Sequence, residues 1–442
     1  YQALKSRYKL FDFDDMLLKA EEMFIQNRAI LEKWQKRFSY FMVDEMQDMN
    51  FLQYKLIKML SARTRNLFCV GDDDQSIYDF RGANPKLMLD FPKDFEDAKM
   101  ILLNQNYRCP GNILNHSKYL IEHNKVRFSK EINANKEDSV ITYFEAESAK
   151  DEAKKIVNEI KQLVSEKYKY DECAILYRNH CLVNFVVEEL ISNNIPFYLK
   201  DSMPNIFTHF AISDILTYLN VSLGKVTRSA MLSILNKPNR FLYRQCLDNG
   251  YSFQAMREFY IGNSNIISNI NAFENDMLLI SKMSAYAAVN YIRKVIGYDE
   301  YLKEISIKKG VEVSEYYDVL DFLQETIRDC RNIKKAIEKI EYLKEKIDFE
   351  NKNKSECREG KVGLYTLHSS KGLEFSNVFI IGVNEGKLPT KRAQKKEEVE
   401  SERRLFYVGV TRSKDRLYIS YLNEKNRDRS YPSRFISEFK GD

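Results

Sequence analysis

Two short apolar runs, Phe38 to Val43 and Asn66 to Val70, each stop at acidic residues, Asp44 and Gly71-Asp72, and between them Leu52, Leu56, Ile57 and Leu60 recur at helical spacing. Runs of this length suit parallel strands covered on both faces, which have no need of polar alternation. A strand, a helix and a strand, with polar residues at both strand ends, predict an open α/β sheet that holds its ligand at the carboxyl edge. The pattern resumes after Met100. Ile101-Leu102-Leu103, Cys173 to Tyr177, Val362 to Leu367, Val378 to Val383 and Leu417 to Tyr421 read as strands, with helical stretches such as Asp151 to Val164 between them. From about Phe207 to Asn351 the strand signals give way to helical patterns, among them Ile212 to Leu223 and one long pattern from Tyr316 to Ile347. The chain is therefore expected to carry a helical insertion inside a second α/β domain, with the polar stretch Glu350 to Glu356 as the return linker.

The chain of 442 residues is long enough for two to four domains. No apolar run approaches the roughly 20 residues that span a bilayer, and Tyr1 to Lys5 is no signal-peptide core, so a cytoplasmic protein is expected. Seven scattered cysteines without a Cys-x-x-Cys pair argue against a disulfide framework and against a zinc or iron–sulfur site. The net charge of +5 permits nucleic-acid binding without demanding it. Tyr1 leads directly into the acidic helix start Leu10 to Leu18, which reads as a cut in the middle of a domain. The charged run Lys391 to Glu402 reads as a solvated face.

Three strings carry the chemistry. In Asp44-Glu45-Met46-Gln47-Asp48, a strand-end carboxylate pair suits magnesium binding by Asp44 and proton abstraction from water by Glu45; a helix cap is the ordinary alternative. In Gly71 to Ala83, Gln75 has the amide to bridge a terminal phosphate or its attacking water. Tyr78 and Phe80, two residues apart, offer rings to unstacked bases, and core packing is the competing explanation. In His368 to Phe375, Glu374 follows a Lys-Gly-Leu turn and suits a ribose, while Thr366 and His368 on the incoming strand lie within reach of a nucleic-acid phosphate. Tyr107 and Arg108, after a strand and before a helix, suit an adenine stack and a phosphate clamp. In the helix ending at Arg412, Leu405, Val408 and Arg412 share a stripe, which aims the arginine into a cleft; Arg403 and Arg404 read as structural salt-bridge partners. The Gly-x-x-x-x-Gly-Lys-Ser/Thr loop that cradles a triphosphate is not in the chain.

In this order, these strings resemble the UvrD/Rep/PcrA family of superfamily 1 DNA helicases over nearly the whole chain. The signature Leu176-Tyr177-Arg178-Asn179 strengthens the likeness. The resemblance implies RecA-like parallel-sheet motor domains with a mainly helical insertion: 1–101 as the remainder of a truncated first motor domain, 102–205 with 360–442 as the second, and 206–359 as the insertion. It implies 3′-to-5′ movement on single-stranded DNA and at junctions with duplex, driven by ATP and Mg2+, in replication, repair or recombination. By that resemblance Glu45 is the base and Asp44 the metal ligand, Gln75, Arg108 and Arg412 contact the γ-phosphate, Tyr107 stacks on adenine and Glu374 binds the ribose. Tyr78, Phe80, Arg81, Thr366 and His368 would meet DNA.

Phe80 stands where the family has tryptophan, Pro238 to Leu242 where it has a glycine-rich duplex contact, and Asn423 to Ser430 where it has a strand-splitting hairpin. The missing loop leads to the expectation of a fragment, inactive alone, that binds ATP and Mg2+ only with an N-terminal region present. The alternatives are a DNA-binding scaffold subunit or the motor part of a helicase–nuclease complex.

Overall fold

A computed structural model describes residues 1–352, 358–423 and 430–441. The chain divides into two compact units, Tyr1–Glu152 with Leu163–Asn179 and Gly363–Asp442, and Ala153–Gln162 with His180–Val362.

In the first unit the strands Phe41–Val43 and Leu67–Cys69 pair in parallel, with Phe41 opposite Leu67. The helix Phe51–Ser61 connects them. Asn50 and Gln53 cap that helix reciprocally, each side chain accepting from the other's amide at 2.9 Å. A second parallel group places Ile141–Ala146, Ser413–Leu422, Phe375–Ile380, Cys173–Tyr177 and Val362–Thr366 side by side in that order. Cys173–Tyr177 and Phe375–Ile380 are buried at every position, which is the physical reason that Cys173–Tyr177 shows no polar alternation, while Phe375–Ile380 buries Ser376 and Asn377 among its apolar residues. The helix Lys396–Val410 reaches this sheet through Gly409, where a Cβ would stand 2.5 Å from Leu367 Cδ2 and 3.2 Å from Ile380 Cδ1. Glycine there sets how closely helix and sheet approach.

Three sequence expectations are corrected. Ile101-Leu102-Leu103 is not a strand; the strand is Gln105–Pro110, so Asn106 to Cys109 lie within it rather than after it. Its ladder partners, Asn133 and Ala134, stand opposite Gln105 and Asn106, while Ile101 and Leu103 remain 77% and 79% exposed. Apolar composition alone does not make a strand when its neighbour lies further along. The helical pattern Tyr316 to Ile347 is two helices, Val313–Ile327 and Ile333–Lys352, because Asn332 starts the second by accepting from the Lys335 amide at 2.9 Å. The charged run Lys391 to Glu402 is not solvated throughout. Glu400 and Glu402 are buried, Glu400 accepting from the Lys125 amide and Glu402 pairing with Arg178 at 2.8 Å.

In the second unit helices dominate from Phe210 onward, including Phe210–Ser222, Ser264–Ile280 and Ala285–Lys294. Its core holds a polar knot. The Arg240 guanidinium lies 4.1 Å from the Phe273 ring centroid and donates to Tyr218 Oη (2.9 Å) and to the carbonyls of Ile234 and Leu235 (3.0 and 3.1 Å). This anchors the loop Pro238 to Leu242 and leaves Phe241 exposed. Most of the expected return linker (353–356) and of the expected hairpin region (424–429) lies outside the described residues. Among the described residues no helix is long and apolar enough to cross a membrane.

Candidate functional site

The first string turns sharply after its strand. Glu45 adopts φ 50° and ψ 44°, a left-handed conformation uncommon for a residue with a side chain, and starts the short helical turn Met46–Asp48. Asp44 Oδ1 accepts from the Glu45 amide at 2.9 Å. Gln47 is fully buried and ties this string to the next. Its Nε2 donates to Glu45 Oε2 at 2.5 Å and its Oε1 accepts from the Asp72 amide at 3.0 Å. Gly71 makes that approach possible, since a Cβ there would stand 2.5 Å from Gln47 Oε1.

The three acids Asp72, Asp73 and Asp74 surround an internal cation. Lys130 reaches Asp72 at 2.5 Å, Asp74 at 3.1 Å and Asp73 as well, and Arg127 grips Asp74 with two bonds of 2.7 and 2.9 Å. Burial opposes the Lys130 charge, but the three carboxylates outweigh it and raise its pKa. Burial also acts on Asp72, yet Lys130 and Gln75 hold its carboxyl below the usual range. Sequence reasoning missed Arg127 and Lys130, which sit in a stretch with no motif of its own.

Gln75 is the junction. Its Nε2 donates to Asp72 Oδ2 at 2.8 Å, and its Oε1 accepts from Arg412 Nη2 at 3.3 Å. Arg412 follows the helix Lys396–Val410 and is 1% exposed, with further bonds to the carbonyls of Val408 and Leu373. Burial, with Arg108 nearby, pushes its pKa down to about 10. Among the described residues no carboxylate forms an ion pair with Arg412. Arg108 pairs with Glu374 at 2.9 Å and holds that carboxyl below its usual value. Tyr107 stands 70% exposed on the same strand.

The loop continues from Gln75 to a cluster of rings. Phe80 is 69% exposed, so core packing does not account for it; Tyr78 is half-buried. The Phe80 ring meets His368 edge-on at 5.6 Å and Tyr78 at 6.0 Å, and the Arg81 guanidinium lies 5.3 and 5.5 Å from the Tyr78 and Phe80 centroids. The Tyr78 hydroxyl donates to the His368 carbonyl at 3.4 Å. Thr366 ends its strand and accepts from the Ser369 amide at 3.1 Å, shaping the turn that presents His368. Beside the rings lies a cleft of about 440 Å³ lined by Ile77, Phe80, Arg178, His368, Arg392 and Leu405. A larger cavity of about 650 Å³, among Tyr54, Lys58, Leu87 and Asp94, contains none of the predicted site residues.

Arg403 and Arg404 separate in role. Arg403 pairs with Glu438 at 2.6 Å, while buried Arg404 donates to the Ser76 carbonyl at 2.8 Å and to Asp79 at 3.1 Å. Arg404 thus pins the Gln75-to-Phe80 loop to the helix that precedes Arg412. The structure bonds Gln75 to Arg412 and Arg108 to Glu374 as two separate pairs, connects Glu45 to Gln75 through Gln47 and Asp72, and gathers Tyr78, Phe80, Arg81 and His368 into a cluster of rings and one guanidinium. Among the described residues Asp44 makes only its local bond with the Glu45 amide.

Two family models match, the UvrD/REP helicase N-terminal domain over residues 1–96 and the UvrD-like helicase C-terminal domain over residues 101–424. DNA helicase II of Haemophilus influenzae is 33% identical over 99% of this chain and 63% of its own length. ATP-dependent DNA helicase PcrA of Staphylococcus epidermidis is 34% identical over 100% and 63%, and ATP-dependent DNA helicase Rep of Buchnera aphidicola 33% identical over 97% and 69%. The chain thus spans about 63% of the length of the first two. The match from residue 1 represents the N-terminal helicase domain in the chain and lends no support to the fragment expectation or to its scaffold and nuclease-complex alternatives. With both domain models matched and a RecA-like α/β architecture of parallel sheets, the chain belongs to the UvrD-like helicase family.

Proposed function

We propose that the protein is an ATP-driven motor that moves 3′ to 5′ along single-stranded DNA and acts at junctions with duplex, in the cytoplasm, in replication, repair or recombination. Residues 1–101 belong to the first motor domain as its C-terminal remainder, 102–205 with 360–442 form the second, and 206–359 the helical insertion. Glu45 takes the proton of the attacking water, Asp44 holds magnesium, and Gln75, Arg108 and Arg412 face the γ-phosphate. Tyr107 stacks on adenine and Glu374 binds the ribose. Tyr78, Phe80, Arg81, Thr366 and His368 meet the DNA.

One observation carries this reading: a single short loop bears Gln75, bonded to Arg412, at one end and the exposed ring of Phe80, packed on His368, at the other. A change at one end is passed to the other through four intervening residues, of which Arg404 pins Ser76 and Asp79. The donor set also fits the nucleotide. Arg412 is a buried cation without a carboxylate partner among the described residues, a costly state that a phosphate relieves. Arg108 and Glu374 are exposed enough to exchange each other for ligand groups. The oxygen donors of Asp44 suit a hard cation. When bound, magnesium ATP supplies the electrophilic phosphorus and neutralises charge on its oxygens.

The test uses the natural full-length protein. Glu45→Gln should cut DNA-stimulated hydrolysis about 10²–10⁴-fold while single-stranded DNA affinity stays within about twofold. Wild-type hydrolysis in that variant would refute the base, and release of a strand from 5′-tailed but not 3′-tailed duplex would refute the direction. The 442 residues contain no Gly-x-x-x-x-Gly-Lys-Ser/Thr string, and turnover by them alone is expected to be slow or absent.

A further inference from the structure

Lys371 lies in the turn between the strands Val362–Thr366 and Phe375–Ile380, three residues after His368 and three before Glu374. Its side chain is 6% exposed. The ammonium donates to Asp48 Oδ2 at 2.5 Å and to the Gln75 carbonyl at 2.9 Å. It also stands 3.2 Å from Glu45 Oε2 and 5.5 Å from the Tyr78 ring centroid. One cation therefore touches the residue read as the base, the backbone of the residue read as the phosphate sensor, and a ring read as a DNA platform.

The contacts are directional. Gln47 and Lys371 both approach Glu45 at Oε2, and neither uses Oε1. Asp48 has its other oxygen, Oδ1, buried without a hydrogen bond among the described residues, so Lys371 is what compensates that carboxylate. The turn itself is tight, with the Lys371 amide donating to the His368 carbonyl at 3.3 Å and the Ser370 amide to the Thr366 carbonyl at 3.1 Å. The same His368 carbonyl accepts from the Tyr78 hydroxyl. Tyr78 and His368 are thus each one contact from Lys371, the ring of Tyr78 at its ammonium and the His368 carbonyl at its amide.

We propose that Lys371 is a positioning residue for Glu45: it holds the carboxylate through Oε2, leaves Oε1 for the water, and relays DNA contact at Tyr78 and His368 to the base. This rests on the function proposed above. It assigns to a lysine outside the expected site the link between the DNA-facing and phosphate-facing halves of the loop.

The experiment measures ATP hydrolysis by the natural full-length protein as wild type, Lys371→Met and Lys371→Arg, titrating ATP and single-stranded DNA separately. Lys371→Met should lower kcat with DNA about tenfold or more, bring the factor of DNA stimulation toward one, and leave the KM for ATP and the DNA half-saturation within about twofold. Lys371→Arg should recover most of kcat. If Lys371→Met does not fold, Asp48→Asn, which removes the shortest ion pair but keeps the cation, is read by the same kcat, KM and DNA criteria. Wild-type kcat and stimulation in the variant would overturn the proposal. So would losses shared by KM and DNA binding, because those mark a merely structural lysine. A wild type whose hydrolysis ignores DNA would instead overturn the functional reading, and this inference with it.

Discussion

A methyl group on Gly71 would meet Gln47 Oε1 at 2.5 Å and the Met46 amide nitrogen at 3.2 Å, so the close approach of Gln47 to the Asp72 amide needs a position with no side chain. Gly71→Ala should destabilise the protein by about 1–3 kcal/mol, the usual cost of overpacking, read as a lower urea midpoint. An unchanged midpoint would mean that Gln47 gives way freely. The residues proposed to bear the chemistry could be picked out as candidates because Asp44, Glu45, Gln75 and Arg412 lie in contiguous strings whose residue types have few other uses together. Their partners were not. Arg127 and Lys130 reach Asp74 and Asp72 across 53 and 58 residues, from a stretch whose sequence shows only polar residues and a phenylalanine. Lys371 was visible as part of a string, but nothing local says that its ammonium ends on Asp48, 323 positions away.

At the scale of elements, buried parallel strands were legible where a strand covered on both faces runs almost wholly apolar, as Cys173–Tyr177 does. Ile101 to Leu103 is equally apolar but has no strand partner among the described residues, and the second of the helices Val313–Ile327 and Ile333–Lys352 starts at a capping asparagine. The helix Ala149–Ser165 adds a pH dependence. Glu152 is buried, accepts from the Gly382 amide at 2.9 Å, and has its pKa raised, chiefly by burial. Its folded state therefore binds the proton more tightly than the unfolded chain does. The stabilisation from the protonated carboxyl is full below the unfolded value and is lost as pH rises through the folded one. Glu152→Gln, which stays neutral, should gain thermal stability relative to wild type on going from about pH 5 to pH 8. A difference in Tm that does not change with pH would contradict this.

Across the molecule, the groups proposed to face nucleotide and DNA share one loop, and Arg404 and Lys371 fasten its backbone at Ser76 and Gln75. If the proposed DNA contacts are mainly to phosphates, binding weakens steeply as salt rises whatever the net charge, here +5, so stimulation is best sought at low ionic strength. The measurement that bears most directly on the shared loop is the rate of ATP hydrolysis by the natural full-length protein, titrated with single-stranded DNA, in wild type and Arg412→Ala. If Arg412 completes the phosphate site through Gln75, wild-type hydrolysis rises saturably with DNA, and Arg412→Ala loses at least about 10³-fold in rate while still binding the strand. A wild-type rate indifferent to DNA, or an Arg412→Ala protein as active as wild type, would contradict it.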